Sequence, residues 1–226
     1  MKLALFDLDH TLIPFDSDHE WGRFCCTLGW VDRDEHHRKN ELFYDQYRNG
    51  GLDMHEYLAF ALAPLAARSP QELQAAHSRF MREVVLPQLP EPGRALVQRH
   101  REQGHACVVV TATNEFVTRP IAEHLGVSEL IAIELARDGE GRYTGKPQGT
   151  LSFQGGKVTR VEQWLAAREL TLDQCETWFY SDSVNDLALL ERVTHPVATN
   201  PDARLRALAQ RHGWPVLDLF SQPPTP

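Results

Sequence analysis

The sequence predicts an α/β protein: a doubly wound parallel sheet with a bundle of helices inserted directly after the first strand. Three patterns predict it. Residues 3–6, Leu-Ala-Leu-Phe, are an unbroken apolar run, as expected of a strand buried on both faces. Over residues 17–86 apolar stripes recur at spacings of three and four between helix start and stop signals, so the region reads as all helix. From Ala106 onward, short apolar runs alternate with amphipathic stretches, the order that lays crossover helices between parallel strands.

In the inserted region Trp21, Phe24, Cys25 and Leu28 form a helical stripe closed by Gly29. A second helix spans 32–49 and stops at Gly50-Gly51. Asp53 caps a third helix through Met54, Tyr57, Leu58 and Leu62, and Ser69-Pro70 opens a fourth through Leu73, Ala76, Phe80 and Val84. Pro87, Pro90 and Pro92 punctuate the chain, and a polar helix over 93–103 ends at Gly104. The alternating part reads as a strand at 106–110, a helix at 115–125, a strand at 130–135 and a hairpin turn at Asp138-Gly139-Glu140-Gly141. A helix at 158–168, a strand at 177–180 and a short helix at 185–190 follow, then a strand at 196–198, a helix at 201–211 and a last strand at 215–217. The expected division is a sheet core over 1–15 and 88–220, a helical cap over 16–87 and a disordered, proline-rich tail over 221–226. Both hinges of the cap, near Phe15 and Pro87, lie close to the first strand's end, where a closing lid would exclude water.

At 226 residues and 42% hydrophobic composition, one good core and a smaller second one are within reach. The net charge of −8 argues against a general nucleic-acid or anionic-membrane binder, which would show a basic face. No apolar stretch approaches membrane-spanning length, and the four apolar residues after Met1-Lys2 are too few for a signal-peptide core, so a cytoplasmic location is expected. The four cysteines, two adjacent and two isolated, match neither a disulfide framework nor a zinc spacing.

The chemistry concentrates at strand ends. Asp7 and Asp9 follow the first apolar run, and in an extended chain residues two apart share a face, so both carboxylates can enter the crevice beyond the strand. One can act as a nucleophile while the other moves protons, and the pair is a hard oxygen site for Mg²⁺. Thr11 offers a hydroxyl to fix the second carboxylate. At Thr111-Ala112-Thr113-Asn114 a central strand runs into a helix, a place where a hydroxyl and backbone N–H groups suit a phosphate oxygen. Lys157 opens a helix, where the dipole disfavours a cation unless an anion or carboxylates face it. Asp182, Asn185 and Asp186 follow the strand at 177–180. Each feature also has an ordinary reading: Asx turns for Asp7 and Asp9, an N-cap for the Thr111 turn, a solvated lysine, a loop aspartate and a first-turn helix acid. Four carboxylates, a threonine and one lysine converging on a single crevice make a Mg²⁺ and phosphate site.

The set Asp7-Leu8-Asp9-His10-Thr11-Leu12, Thr111, Lys157 and Ser181-Asp182-Ser183-Val184-Asn185-Asp186 resembles the four signatures of the haloacid dehalogenase superfamily of phosphohydrolases, and the helical insertion resembles its phosphoserine phosphatase-like subfamily IB. Ser181 and Ser183 stand where phosphoserine phosphatases usually carry glycines. The resemblance implies a Rossmann-like sheet and a phosphomonoester hydrolase working through an aspartyl-phosphate: Asp7 as nucleophile, Asp9 as general acid and base, Thr111, Ala112 and Lys157 as phosphate binders. It further implies Mg²⁺ at Asp7, the Asp9 carbonyl and Asp182 with Asp186 nearby, and supporting roles for Thr11 and Asn185. Asp16 stands where phosphoserine phosphatases carry an acid that reads the substrate's amine, which points to an amino-alcohol phosphate such as phosphoserine or histidinol phosphate; the competing reading of Asp16 is a helix cap. A phosphotransferase or mutase would use the same nucleophile. A phospho-accepting signalling receiver fits less well, having no need of a seventy-residue insertion or of an acid two positions after its acceptor.

Overall fold

The computed structural model describes residues 1–220, without the side chain of Arg48; the tail over 221–226, expected to be disordered, lies outside the described residues. Seven strands form one sheet: β1 (Lys2–Phe6), β2 (Ala106–Asn114), β3 (Glu129–Arg137), β4 (Tyr143–Gln148), β5 (Glu176–Ser181), β6 (His195–Thr199) and β7 (Val216–Leu217). Their order is β4-β3-β2-β1-β5-β6-β7, parallel throughout except for the antiparallel β3–β4 pair. The chain lays β2 and β3 to one side of β1 and then β5 and β6 to the other, so the order reverses between β1 and β5. A doubly wound sheet opens its binding crevice at such a reversal, beyond the strands' carboxyl ends. Asp7 and Asp182 follow β1 and β5 directly.

The described residues divide into two compact units: 1–15, 88–133 and 150–220 in one, 16–87 and 134–149 in the other. The sequence reading placed 134–149 with the core; in the structure these residues, the outer half of β3 with β4, group with the helices. The reason is the contact between β4 and α3 (Met54–Ala66), where Gly145 lies so near the helix that a Cβ there would sit 3.1 Å from Ala66.

In the first unit one face of the sheet, with Leu3, Leu5, Val108, Val110, Phe179 and Ala198, packs on α7 (Gly155–Ala166), α8 (Leu187–Leu190) and α9 (Ala203–His212) through Val161, Leu165, Leu189, Leu190, Leu205 and Ala209. Full burial of such side chains contributes about 1.5–3 kcal/mol each before conformational entropy is counted. The other face carries Phe6 stacked on Tyr180 at 5.2 Å, with His100 of α5 (Glu91–Glu102) against both rings. α6 (Glu115–His124) opens at Asn114, whose side chain caps it through Val117 N–H.

In the second unit α1 (Ser17–Thr27), α2 (Arg33–Asn49), α3 and α4 (Pro70–Phe80) begin at Asp16, Asp32, Asp53 and Ser69, each side chain accepting a first-turn N–H. Ser69 and Glu72 complete a reciprocal capping box. The fourth helix does not continue regularly to Val84 as the apolar spacing predicts: residues Met81–Val85 widen into a π turn and Leu86–Gln88 tighten into a 3₁₀ turn. Pro87 carries no N–H for a regular helix ladder.

Candidate active site

Asp7 is fixed at the end of β1 by its N–H to the Tyr180 carbonyl, 2.9 Å away on β5. The chain does not stay extended beyond it. His10 turns at φ +57°, and the Leu8 carbonyl accepts the N–H groups of Thr11, Leu12 and Ile13 at 3.2, 2.8 and 3.2 Å. This tight turn brings Thr11 back over Asp7. The Thr11 hydroxyl therefore reaches Asp7 Oδ2 (3.1 Å) and Asp182 Oδ1 (3.3 Å), and accepts the Asp182 N–H at 3.1 Å. The expectation that Thr11 fixes Asp9 is thus corrected. Asp9 Oδ2 instead accepts the hydroxyl of Thr113 at 2.9 Å, a residue the sequence reading quoted without assigning it a role.

Thr113 follows from how β2 ends. The strand runs on to Asn114 rather than stopping at Val110, and its register with β3 shifts between Val110 and Asn114. Within that irregularity Thr113 N–H donates to Thr111 Oγ1 at 3.1 Å, with Thr111 buried and Ala112 half-buried. The bent backbone thus sets the Thr113 hydroxyl on Asp9 and holds that of Thr111 on the Thr113 N–H.

Lys157 is buried near the start of α7 and donates at 2.8 Å to Asp7 Oδ1 and to both oxygens of Asp186. Gly156 makes that position attainable, because a Cβ there would lie 2.0 Å from the Leu151 carbonyl. Burial pulls the Lys157 ammonium towards neutrality, but the charges of Asp186 and Asp7 outweigh it and hold the group above the ordinary lysine range. Asp186 Oδ2 also accepts the Ser181 hydroxyl at 2.7 Å, so both its oxygens are engaged and its part is to anchor Lys157. The Ser183 side chain accepts Asn185 N–H at 3.2 Å and caps the 3₁₀ turn Val184–Asp186. The two serines standing in place of glycines therefore each hold part of the acidic loop.

Asp7, Thr11, Lys157, Ser181, Asp182 and Asp186 thus form one hydrogen-bonded network, with Asp9 and Thr113 beside it. Burial pushes the Asp182 carboxyl well up from its ordinary value, and the neighbouring charges of Asp7 and Asp186 add to the effect, with Lys157 only partly opposing. Three carboxylates facing one ammonium leave an excess of negative charge between Asp7 and Asp182. A small hard dication fits that place: two carboxylates and a backbone oxygen are suitable donors. Among the described residues no group of three or more His, Cys, Asp or Glu side chains is arranged to hold a metal ion. Asp16 lies in the second unit, where its Oδ1 accepts His19 N–H at 2.8 Å and caps α1. The cap reading of Asp16 is the one this geometry displays.

Comparison with known proteins adds the lineage. The model of the haloacid dehalogenase-like hydrolases matches residues 4–191. A histidinol-phosphatase of Neisseria meningitidis is 47% identical over 218 residues, covering 96% of this chain and 98% of that protein. A phosphoserine phosphatase of Mycobacterium tuberculosis is 32% identical, covering 95% of this chain and 70% of its own length. Among solved structures, a Bordetella pertussis protein of unknown function is 49% identical, with a TM-score of 0.91 over 97% of this chain and 99% of that one. A substrate-bound phosphoserine phosphatase shares the fold at a TM-score of 0.68 and 18% identity, covering 96% of this chain and 92% of that one. The chain belongs to the haloacid dehalogenase-like hydrolases, and within them to the phosphatases.

Proposed function

We propose that this phosphatase hydrolyses the phosphate ester of a small amino alcohol, histidinol phosphate ahead of phosphoserine, with Mg²⁺. The observation that carries the chemistry is the separate fixing of two carboxylates: Asp7 by Lys157 and Thr11, Asp9 by Thr113. Substrate choice follows the N. meningitidis histidinol-phosphatase, which matches along nearly the whole of both chains.

Asp7 attacks phosphorus through a carboxylate oxygen and becomes an aspartyl-phosphate. Asp9 gives a proton to the departing alkoxide, then takes one from the water that hydrolyses the acyl phosphate. Thr111, the backbone around Ala112 and Lys157 receive the phosphoryl oxygens, and Lys157 offsets repulsion between Asp7 and its anionic target. Asp7, Asp182 and the Asp9 carbonyl would hold Mg²⁺, which would supply positive charge to offset that of the carboxylates and the phosphate. Asp186 positions Lys157, and Asn185 supports the turn that carries it. The inserted segment 16–87 is assigned the choice among substrates. Cys25, Cys26, Cys107 and Cys175 are free thiols, which supports a reducing, cytoplasmic setting.

The test is phosphate release from histidinol phosphate, phosphoserine and plain alkyl phosphates, with Mg²⁺ and with EDTA. Mg²⁺-dependent release favouring histidinol phosphate is the expected result. Transfer of the phosphoryl group to an added alcohol in preference to water would replace hydrolysis by phosphotransfer. Asp16→Asn is the companion variant, since asparagine still caps α1 while losing the charge. Unchanged discrimination between amine-bearing and plain esters removes Asp16 from the selector.

A further inference from the structure

The turn that aims Asp9 and Thr11 is itself held by a side chain from a distant part of the first unit. The N–H groups of Thr11, Leu12 and Ile13 converge on the Leu8 carbonyl, and the carbonyls of His10 and Thr11 are left for another partner. Asn200, just beyond β6, meets both. Its Nδ2 donates to the His10 carbonyl at 2.9 Å and to the Thr11 carbonyl at 3.2 Å. Its Oδ1 accepts the N–H groups of Leu219 and Phe220 at 2.7 and 3.2 Å. Every donor and acceptor direction commonly used by a primary amide is thus engaged on backbone. Asn200 also stands at φ +47°, a left-handed conformation that asparagine tolerates better than other residues with a side chain. Two residues on, Asp202 N–H donates to the Asp182 carbonyl at 3.3 Å, so the same segment touches the second acidic loop. Gly93 of α5 also closes on the turn, where a Cβ would lie 2.1 Å from the Leu12 carbonyl.

We propose that Asn200 is a positioning residue for the phosphatase reaction: its amide clamps the His10–Thr11 carbonyls to the backbone of Leu219 and Phe220 and so sets the aim of Asp9 and Thr11. The inference rests on the phosphatase reading of this site. It assigns residues 219–220, more than two hundred positions from the nucleophile, a part in catalysis through the Asn200 side chain. Asn200 touches neither carboxylate, so its effect falls on the orientation of groups used in the chemical step rather than on holding the substrate's distal parts. Orientation errors of this kind lower kcat more than they raise KM.

The experiment compares wild type with Asn200→Gly and Asn200→Asp. Glycine removes the amide and accepts φ +47° without strain, so loss of the clamp is separated from backbone strain. Aspartate keeps oxygen acceptors for Leu219 and Phe220 but offers no donor to His10 and Thr11. Two quantities are read on the full-length protein: amide hydrogen exchange of Thr11, Leu12 and Ile13, and the kcat and KM for p-nitrophenyl phosphate with Mg²⁺. Both variants should exchange these three amides about tenfold faster or more and lose about tenfold in kcat at nearly unchanged KM, as expected when the two hydrogen bonds from Nδ2 are lost. Unchanged exchange in the glycine variant overturns the clamp. Faster exchange with wild-type kcat overturns the positioning role, and so does full recovery of kcat by aspartate. If wild type releases no phosphate from p-nitrophenyl phosphate or from the esters above, the phosphatase reading is what fails, and the exchange measurement still decides the clamp.

Discussion

At the scale of residues, the site separates two jobs that the same side-chain type must do. Asp7 meets the Lys157 ammonium and the Thr11 hydroxyl, and Asp9 accepts the Thr113 hydroxyl, so the two carboxylates are held by different side chains; the proposed mechanism makes the first the nucleophile and the second the proton carrier. Asp7→Asn should abolish both turnover and trapping of an acid-stable phosphoenzyme, while Asp9→Asn should still form some phosphoenzyme and lose roughly 10²–10⁴-fold in turnover; a phosphoenzyme signal in Asp7→Asn would sink the assignment. Thr113→Val keeps the shape of the side chain and removes one hydrogen bond to a charged group, so kcat should fall by about tenfold while the melting temperature hardly moves. Asp182→Asn separates metal from stability. It relieves a buried carboxyl crowded by Asp7 and Asp186, so without divalent cations the variant should melt higher than wild type at neutral pH. It should also lose most of the rise in melting temperature that Mg²⁺ gives wild type. Equal Mg²⁺ shifts in the two proteins would remove Asp182 from the metal site. The residues legible in the sequence were those whose type is fixed by chemistry, Asp7, Asp9, Lys157 and Asp182. Thr113 and Asn200 were not, because a threonine two positions after another and an asparagine before a proline acquire their partners only when distant loops meet.

At the scale of elements, most of the reading from periodicity stands. Strands after apolar runs, helices after Asp or Ser caps, and stops at Gly29, Gly50 and Gly126 are local matters, decided by side chains within a few residues. Departures appear where a contact from elsewhere decides. β2 runs four residues past its apolar core because the bent segment carrying Thr111 and Thr113 still pairs at Asn114 with Ile133. The π turn after α4 has no signature in an apolar stripe, since Val85 stays fully buried despite the change of pitch. The start of α7 provides a matched pair of substitutions. Gly156 has the Leu151 carbonyl in the place of its missing Cβ, whereas Gly155 has open space. Gly156→Ala should therefore cost about 1–3 kcal/mol and displace Lys157, with a corresponding fall in activity. Gly155→Ala should leave stability within a few tenths of a kcal/mol and activity near wild type. Urea unfolding and kcat on the two variants make the comparison, and equal effects would show that the close approach to Leu151 does not position Lys157.

At the scale of the whole molecule, the reversal of strand order between β1 and β5 is what brings Asp7 and Asp182 within reach of one Thr11 hydroxyl. No single segment encodes that reversal; it depends on which strands pair, and the sequence indicated it only through the order of its motifs. The same pairing buries a set of histidines behind the site with a consequence for global stability. His100 Nδ1 meets His105 Nδ1 at 2.8 Å and its Nε2 meets the Tyr180 hydroxyl at 2.8 Å, with Phe6 and Trp178 edge-on to the ring. Two Nδ1 atoms in contact share one proton, so the pair has no place for a second. Burial first, then the charges of His105 and Arg99, hold His100 at about 4, down from 6.5; burial also lowers His105 and, in the other unit, His36. Above the ordinary histidine range these groups are neutral folded and unfolded, and stability does not depend on them. As pH falls from 6.5 towards 4 the unfolded chain takes up protons that the native His100 refuses, so stability falls with pH across that window. The unfolding free energy of wild type should therefore drop between about pH 7.5 and about pH 5, and His100→Gln, which cannot titrate, should drop less over the same interval. Urea titrations of both proteins at the two pH values measure the difference directly. A parallel decline in both would show that other carboxyl or histidine groups carry the acid sensitivity and that the buried pair does not.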